Sequence, residues 1–423
     1  MYRDILEEHV EEAAILWGLR KSAIHSVQYA LEDLAGIDER IDAHLFALFL
    51  AGDEGFGCAL EMWDGEAPDP FFVMAYHAFR KAMPREIENV SRVGEESSEL
   101  AKEIIAALGR LSDEEAAGHI RALLASGSVA RRRIGIAAGV PHGMDLEVDI
   151  AAALMDPGPY LRSLVVDAIG ESGRWEFRSH LAQELLSEDR EVRFSAWRSS
   201  MLLGDGSALS LLDGFVESDE YRDRAIGLAV RRMAISDAHE WLAELARNEN
   251  HLPAAIRGFG VLGDPSAVPF LLNAMRFPGT AKAAGEAFSM MTGLDEGTGE
   301  GYFRRDRPDG EDAAVTAGRE RSAGDGAGET GDEGVDEDSD GSMWPEPDRI
   351  ALWWEENKIR FRAGVRHLLG EPISQESLQY VLRKGNQVMR AAAAIEIVMT
   401  GSGRALFDVR AHGGRQQRLL GIR

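Results

Sequence analysis

Apolar and polar positions alternate in blocks along residues 187–212, which read SEDREVRFSAWRSSMLLGDGSALSLL. A polar turn precedes an apolar run that opens with Arg193, and Gly204-Asp205 separates this run from a second one. Apolar residues three and four positions apart are typical of a helix that buries one face, and glycine is common just after a helix ends. The pattern therefore predicts a pair of helices, at 193–204 and 207–218.

The same pattern recurs every 31 residues in the middle of the chain. Three columns keep this spacing over four units: arginines (Arg131, Arg162, Arg193, Arg224), apolar residues eight positions earlier (Leu123, Leu154, Leu185, Val216) and small or apolar residues six positions later (Ala137, Ala168, Ser199, Val230). A single helix pair cannot bury its apolar faces alone, so repeated pairs stack on each other. We expect an all-α fold in which about five to six helix pairs form an α-solenoid over residues 106–292.

Both flanks of the repeats also have helical patterns. Residues 1–105 are predicted to form a helical N-terminal cap, in which Leu6, Val10, Ala13 and Trp17 share one face of the first helix. Residues 345–423 are predicted to form a C-terminal helical region. Its first helix has an apolar side made of Ile350, Trp353, Trp354 and Ile359.

Residues 293–344 have no apolar periodicity and are rich in Gly, Asp and Glu. From Asp295 to Asp348 there are 18 acidic and 5 basic residues, a local charge of −13, which is half of the net charge of −26 of the whole chain. Such a segment buries too little apolar surface to offset the entropy of ordering it. We expect an acidic, disordered linker between the repeats and the C-terminal region.

Composition narrows the classes of partner and compartment. The charge of −26 over 423 residues argues against unspecific binding to nucleic acid or to anionic lipid, because both need positive potential. Cys58 is the single cysteine, which excludes an internal disulfide framework and favours a reducing compartment. Without an apolar window of about 18 residues, no membrane insertion is predicted. We expect a cytoplasmic protein with a protein partner and no nucleic acid.

Sequence motifs for catalysis or metal binding are absent. There is no HExxH, G-x-S-x-G or P-loop motif, and His239-Glu240 is the one His-Glu pair. Asp38, Glu39, Asp42 and His44 are close enough on one predicted helix to suggest a metal site, but a solvated helix face with a capping acid accounts for them. We predict no catalytic residue, no cofactor and no metal. An enzyme whose site is assembled from scattered residues remains an alternative.

The repeat segments resemble HEAT-type repeats. Glu191-Val192-Arg193 with Leu203-Gly204-Asp205 matches that pattern, as does the run 261–269. Residues 37–56, 343–370 and 405–420 look like an uncharacterised family of bacterial HEAT-repeat proteins, whose genes are sometimes found near type VI secretion components. The resemblance implies a HEAT-like α-solenoid. It supplies no catalytic residues.

In HEAT stacks an arginine at this position commonly pairs with an acidic or carbonyl group between repeats, so the column of Arg131, Arg162, Arg193 and Arg224 is interpreted as structural. The second helix of each pair commonly lines the concave side. Polar residues predicted there, and proposed as partner-binding candidates, are Arg178, Glu184, Asp213, Glu240 and Glu244.

Extended repeat surfaces suit the binding of other proteins. The predicted function is a non-enzymatic protein-binding scaffold or adaptor, with an assembly chaperone linked to bacterial secretion as one form. Two binding alternatives stay open. One is an immunity-type inhibitor of an effector, and the other is a self-regulated binder in which the acidic linker competes with the partner.

Overall fold

The computed structural model describes residues 2–156, 158–294, 301–304, 343–401 and 404–422. These residues are mostly helical with little strand, so the all-α prediction is confirmed. The helical stacking seen is compatible with a solenoid. The acidic linker predicted at 293–344 lies largely outside the described residues.

The chain divides into two compact units that do not follow the predicted boundaries. The larger unit contains Met1–Arg232 together with Gln375–Arg423, and the smaller unit contains Met233–Ser374. The predicted repeat region, 106–292, is therefore shared between the two units. The predicted C-terminal region, 345–423, is likewise shared between them.

The larger unit begins with six helices whose buried side chains belong to one hydrophobic core, which continues into the helices that follow. Trp17 stacks on Phe72 with their ring centroids 3.8 Å apart, and the predicted face of the first helix is buried against this core. The six helices are α1 (Tyr2–Ala23), α2 (Leu31–Ala51), α3 (Asp53–Met62), α4 (Pro68–Arg80), α5 (Pro84–Glu96) and α6 (Ser98–Arg110).

Helix pairs follow after α7 (Asp113–Leu124). The first helices of these pairs are α8 (Val129–Gly139), α10 (Arg162–Glu171), α12 (Arg190–Leu202) and α14 (Arg222–Arg232). The second helices are α9 (Glu147–Met155), α11 (Arg178–Glu184) and α13 (Asp213–Val216). A 3-10 turn precedes α11 at Trp175–Phe177, and another precedes α13 at Gly206–Leu211.

The helix pair predicted at 193–204 and 207–218 has different bounds in the structure. Helix α12 begins at Arg190, because the side chain of Asp189 accepts a hydrogen bond from the backbone N–H of Val192 and caps the helix there. The second helix is mostly a 3-10 turn, and only Asp213–Val216 is α-helical. Arg193 therefore lies in the first turn of α12, directly after Val192, whose N–H is bound by the capping Asp189.

Ser199, from the repeat column of small or apolar residues, lies where two neighbouring first helices approach each other closely. Ser199 donates a hydrogen bond of 2.8 Å to the carbonyl of Val166. A Cβ atom added to Gly170 would lie 2.7 Å from Cα of Ser199. Helices α10 and α12 can approach this closely because small residues occupy the positions where they meet.

The C-terminal segment returns to the larger unit. It contains α20 (Gln375–Lys384), α21 (Gln387–Thr400) and α22 (Gly413–Leu419). Helix α21 packs on α12 and α14, and its Glu396 forms a buried ion pair of 2.9 Å with Arg231. The start of α21 also binds the α1–α2 turn, because the backbone N–H of Gln387 donates to the carbonyl of Tyr29. The segment thus joins the first and last helices of this unit.

The smaller unit contains the last repeats and two short hairpins. Helix α18 (Pro278–Thr292) packs on α16 (Leu252–Leu262), and Trp353 and Trp354 contact Phe288 of α18 edge-on. Ile359, predicted on the apolar side of this helix, is 92% exposed because α-helix gives way to a 3-10 turn at Lys358. The elements are α15 (Ile235–Leu245), α16 (Leu252–Leu262), α17 (Val268–Ala274), α18 (Pro278–Thr292), β1 (Phe303–Arg304), β2 (Trp344–Pro345), α19 (Pro347–Asn357), β3 (His367–Leu368) and β4 (Glu371–Pro372). Strands β1 and β2 pair antiparallel, as do β3 and β4.

Candidate functional site

The predicted partner-binding residues do not form one group. Arg178 and Asp213 are exposed on α11 and α13 in the larger unit. Glu240 and Glu244 are exposed on α15, which belongs to the smaller unit. The sequence pattern placed all of them on second helices, but it did not indicate that the chain divides between α14 and α15.

Glu184 is the one candidate that the structure removes from the surface. The residue is 8% exposed, and its carboxylate accepts two hydrogen bonds from the guanidinium of Arg162, at 2.9 and 2.6 Å. The prediction of Glu184 as a partner-binding residue is therefore wrong. The carboxylate is already paired with an arginine of the preceding helix, α10, so little of it is available to a partner.

Exposed apolar side chains lie on two of the second helices. Val148 and Met155 of α9 are 80% and 79% exposed. Trp175, just before α11, and Leu186, just after it, are 57% and 84% exposed. We call these four residues the second-helix patch. Met155 and Leu186 are 31 residues apart, so they are equivalent positions of successive units.

Arg178 extends this patch at Trp175. Its guanidinium carbon lies 5.7 Å from the centroid of the Trp175 ring, which is a cation–π arrangement. An exposed tryptophan beside an arginine is a pairing that is enriched where proteins bind each other. Of the five predicted candidates, Arg178 is the one that contacts the second-helix patch.

The arginine column is shifted by one or two residues in two of its four units. Arg162 and Arg193 donate to backbone carbonyls six residues earlier, those of Asp156 and Ser187, at 2.7 and 2.5 Å. The same six-residue contact is made by Arg132 to Ser126 at 2.8 Å and by Arg222 to Val216 at 2.7 Å. The connecting turns differ in length, so a strict 31-residue spacing selects the neighbouring arginines, Arg131 and Arg224, instead.

Arg131 still has acidic partners. Its guanidinium forms ion pairs with Glu88 and Glu95 of α5, with a distance of 2.7 Å to Glu88. Arg131 therefore links the N-terminal helices to the first repeat, which is a structural contact of another kind. The carbonyl contact in this unit belongs to Arg132.

Arg224 differs from the rest of its column. It follows Arg222 by two positions, so the two side chains leave α14 on different faces. The guanidinium carbon of Arg224 lies 4.6 Å from the centroid of the Phe194 ring, and Phe194 itself stacks on Tyr221 with 4.3 Å between centroids. The structural interpretation of Arg224 as a helix-end arginine is not what the structure shows.

Arg224 lies beside a group of ion-paired residues. Arg198, one turn after Phe194 on α12, donates to Asp167 at 3.1 Å and to Glu171 at 2.9 Å. These two carboxylates are themselves one turn apart on α10. Ser195 also donates to Asp167, at 3.0 Å. Three consecutive first helices thus contribute charged side chains to one place.

The C-terminal segment supplies another arginine. Arg410 lies 3.3 Å from Glu171 and 3.4 Å from Asp408, and the backbone N–H of Leu406 donates to the carbonyl of Glu171 at 2.7 Å. Burial by itself would raise the pKa of Glu171, but Arg410 and Arg198 hold that pKa below its usual value. We call Asp167, Glu171, Arg198, Arg224 and Arg410 the charged cluster.

A buried carboxylate anchors this segment at its other end. Asp38 of α2 accepts hydrogen bonds from Arg20 at 2.5 Å, from Arg110 at 2.7 Å and from the backbone N–H of Gly413 at 2.7 Å. Burial opposes the ionised form of Asp38, but Arg110 and Arg20 outweigh it and lower its pKa to about 2. The carboxylate of Asp38 is thus paired with two arginines and with the backbone of Gly413. It attaches the C-terminal segment to α2.

Further contacts complete this attachment. Asp42, a second acid of the suggested metal site, lies 2.9 Å from His412 and also pairs with Arg110. Arg415 pairs with Asp113 at 2.8 Å. Within the described part of the chain, no group of three or more His, Cys, Asp and Glu side chains is arranged to hold a metal ion.

Sequence reasoning missed the charged cluster. The sequence gives one indication of this cluster: two acidic residues, Asp167 and Glu171, lie four positions apart in the otherwise mostly apolar helix α10. That spacing shows that the two side chains share a face, but not what the face meets. Arg410 is separated from Glu171 by 239 positions, and no local pattern connects them.

No protein-family model matches the chain, and the search of curated proteins finds no match. Over the described ranges, no single helix is long and apolar enough to cross a membrane. Helices α2 and α3 pass that test only together, with a bend of 119° between them, and by length and composition alone.

Proposed function

We propose that the protein is a non-enzymatic protein-binding scaffold or adaptor and that a partner protein binds the second-helix patch. The observation that supports this proposal is the exposure of Val148 and Met155 on α9 and of Trp175 and Leu186 on either side of α11. Large apolar side chains that a folded domain leaves exposed on neighbouring elements are candidates for surfaces where other molecules bind. More than half of the surface of each of these residues is not used in packing its own unit.

The chemistry around the patch suits a protein partner. Trp175 supplies a large, rigid apolar surface, and Arg178 lies against its ring. Asp213, on the next second helix, supplies an exposed polar group. An apolar centre with a polar border is the usual composition of a protein–protein interface.

The resemblance to bacterial HEAT-repeat proteins provides the setting of the proposal. In that setting the protein acts in the cytoplasm, as an adaptor or assembly chaperone linked to secretion. An inhibitor that binds an effector would use the same kind of surface. The buried position of Cys58 is compatible with a reducing compartment but does not require one.

The test is affinity capture from native cells with a charged double variant. Met155→Glu with Leu186→Glu places two carboxylates in the patch, and both positions are exposed enough to accept them without unfolding the chain. We expect recovery of a stoichiometric partner to fall by about tenfold or more, as for substitutions at binding hot spots.

The matched control is Leu50→Glu, because Leu50 is 69% exposed on α2, away from the second helices. This variant should capture the partner as well as the unmodified protein does. If the double variant retains the partner at full yield, the patch is not the binding surface. If both variants lose it equally, general surface charge is responsible and the proposal fails.

A further inference from the structure

Helix α9 is apolar on two opposite faces, and its charged residues are Glu147 and Asp149. One face is buried where α9 packs on α8 and α10, through Ile150, Ala153 and Leu154. The other face is exposed and carries Val148, Ala151, Ala152 and Met155. A helix that is apolar all round is normally buried all round. The exposed face of α9 therefore favours a second molecule that covers it.

The exposed face has the side-chain arrangement that receives another helix. Its four residues have the spacing i, i+3, i+4 and i+7. In knobs-into-holes packing, four residues of one helix form the hole into which a single large side chain of the facing helix inserts. Here Val148 and Met155 form the ends of such a hole, and the small side chains of Ala151 and Ala152 leave it open at the sides.

Ion pairs connect the start of α9 with the turn that carries Trp175. The guanidinium of Arg174, the residue before this tryptophan, lies 2.8 Å from Asp145 and 3.8 Å from Glu147. It also lies 3.5 Å from Glu176, the residue after the tryptophan. The exposed Trp175 therefore lies near the first turn of α9, and the two elements can contact one partner together.

This end of the surface has an excess of negative charge. Asp145, Glu147 and Glu176 share one guanidinium, that of Arg174. When Arg178 is included, three carboxylates still face two guanidinium groups. The side chains of Asp145 and Glu147 are 83% and 63% exposed, so a partner can reach them. Complementary charge on a partner is therefore positive.

We propose that α9 binds an amphipathic helix of the partner protein. This helix inserts a large aliphatic side chain between Val148 and Met155 and directs lysines or arginines towards Asp145 and Glu147. The inference rests on the proposed function, because it specifies the kind of partner that the second-helix patch binds. An amphipathic helix that lays its apolar face on an apolar surface is a recurring mode of protein recognition.

The probe is a synthetic peptide of about 18 residues, which is long enough to form a helix in isolation. It carries leucines at positions i, i+4, i+7 and i+11, with lysines on both sides of this stripe. One matched peptide has the same residues in an order that scatters the leucines around the helix, and the other has glutamates in place of the lysines. Fluorescence anisotropy with the full chain should show saturable binding of one equivalent of the probe. Either matched peptide should bind about tenfold more weakly or less.

Ala151→Leu with Ala152→Leu tests the hole itself. Two leucines fill the hole while they add apolar surface, so affinity for the probe should fall about tenfold or more. A patch that binds through apolar area alone would keep or raise its affinity. Both positions are exposed, and leucine is a good helix former, so the variant should fold. The matched control is Ala43→Leu, at an exposed alanine of α2, which should bind the probe as the unmodified protein does.

Equal binding of the scattered peptide, or unchanged affinity in the double leucine variant, would overturn the inference. Sedimentation of the protein alone tests a different occupant. If the unmodified chain forms a dimer that Met155→Glu dissociates, a second copy covers α9 and the inference is wrong.

Partner capture with Met155→Glu and Leu186→Glu separates this inference from the proposed function. Loss of capture together with a failed peptide test would leave the binding scaffold and reject the helical partner. Unchanged capture together with a failed peptide test would reject both. Specific binding of the probe with unchanged capture would support the helix-binding face and contradict the proposed function alone.

Discussion

Two arginines separated by one residue have different roles in α14. Arg222 donates to the carbonyl of Val216 and satisfies the end of the preceding helix, whereas Arg224 contacts the ring of Phe194. A rotation of about 100° per residue carries the two side chains to different faces, so the register of one helix decides which arginine is structural. Glu184 illustrates the same dependence, because it is paired with Arg162 on the preceding helix.

The pair of Arg162 and Glu184 provides a test at this scale. Arg162→Met removes an ion pair and two carbonyl contacts, to Leu154 and Asp156, and leaves a buried carboxylate without a partner. Loss of one member of a buried ion pair destabilises a protein by about 3 kcal/mol or more.

Arg193→Met is the matched control, because Arg193 makes one carbonyl contact, to Ser187. It should cost about 1 kcal/mol. The midpoints of urea unfolding measure both effects. Equal midpoints for the two variants would show that Glu184 gains little from Arg162.

At the scale of elements, small residues set the distance between neighbouring first helices. Gly170 faces Ser199 across α10 and α12, and Gly260 faces Ala287 across α16 and α18 in the other unit. In both pairs an added Cβ atom would come within 2.8 Å of the facing residue. The recurrence indicates that close helix contact is a repeated feature of these helices, not an accident of one position.

Gly170→Ala should therefore destabilise the larger unit. The added methyl group would lie 2.5 Å from Oγ of Ser199 and would force α10 and α12 apart. Overpacking of this kind costs about 1–3 kcal/mol. The comparison is Gly118→Ala in α7, where a Cβ atom meets nothing within 4 Å.

Gly118→Ala is expected to be neutral or to stabilise by up to about 1 kcal/mol, because alanine favours helix. Thermal unfolding of both variants measures the difference. A Gly170→Ala protein as stable as Gly118→Ala would mean that the two helices can separate without loss.

At the scale of the whole molecule, the chain leaves one compact unit and later returns to it. Residues 375–423 pack with residues 1–232, although residues 233–374 form another unit between them. Asp38 and Gly413 are 375 positions apart and are joined by a hydrogen bond of 2.7 Å. The C-terminal segment is thus part of the N-terminal fold, and through Arg410 it also completes the charged cluster.

Asp38→Asn tests this attachment. The pKa of Asp38 is lowered to about 2, so the ionised carboxylate stabilises the folded state above the unfolded value near 4. That contribution, about 2 kcal/mol, is lost as the pH falls from about 4 towards about 2.

The free energy of unfolding of the unmodified protein should accordingly exceed that of Asp38→Asn most above pH 4, and the difference should shrink towards pH 2. Denaturant unfolding at several pH values measures this difference. A difference that does not change with pH would contradict the role of Asp38 as an ionised anchor.

The helices and the all-α class follow from the sequence alone. The spacing of Leu6, Val10, Ala13 and Trp17 predicted a buried face, and the structure buries all four. Helical periodicity and caps such as Asp189 depend on residues within a few positions of each other, so a single sequence contains them. The 31-residue period predicted helix pairs in the middle of the chain for the same reason.

Tertiary contacts decided the rest. The assignment of Arg222 and Arg132 to the carbonyl contacts depends on turn lengths that a fixed spacing ignores. The burial of Glu184 depends on a neighbouring helix. The charged cluster requires Arg410 to meet Glu171 across 239 positions. Contacts at such separations are set by how helices pack and where the chain returns, which a periodic pattern in one sequence does not specify.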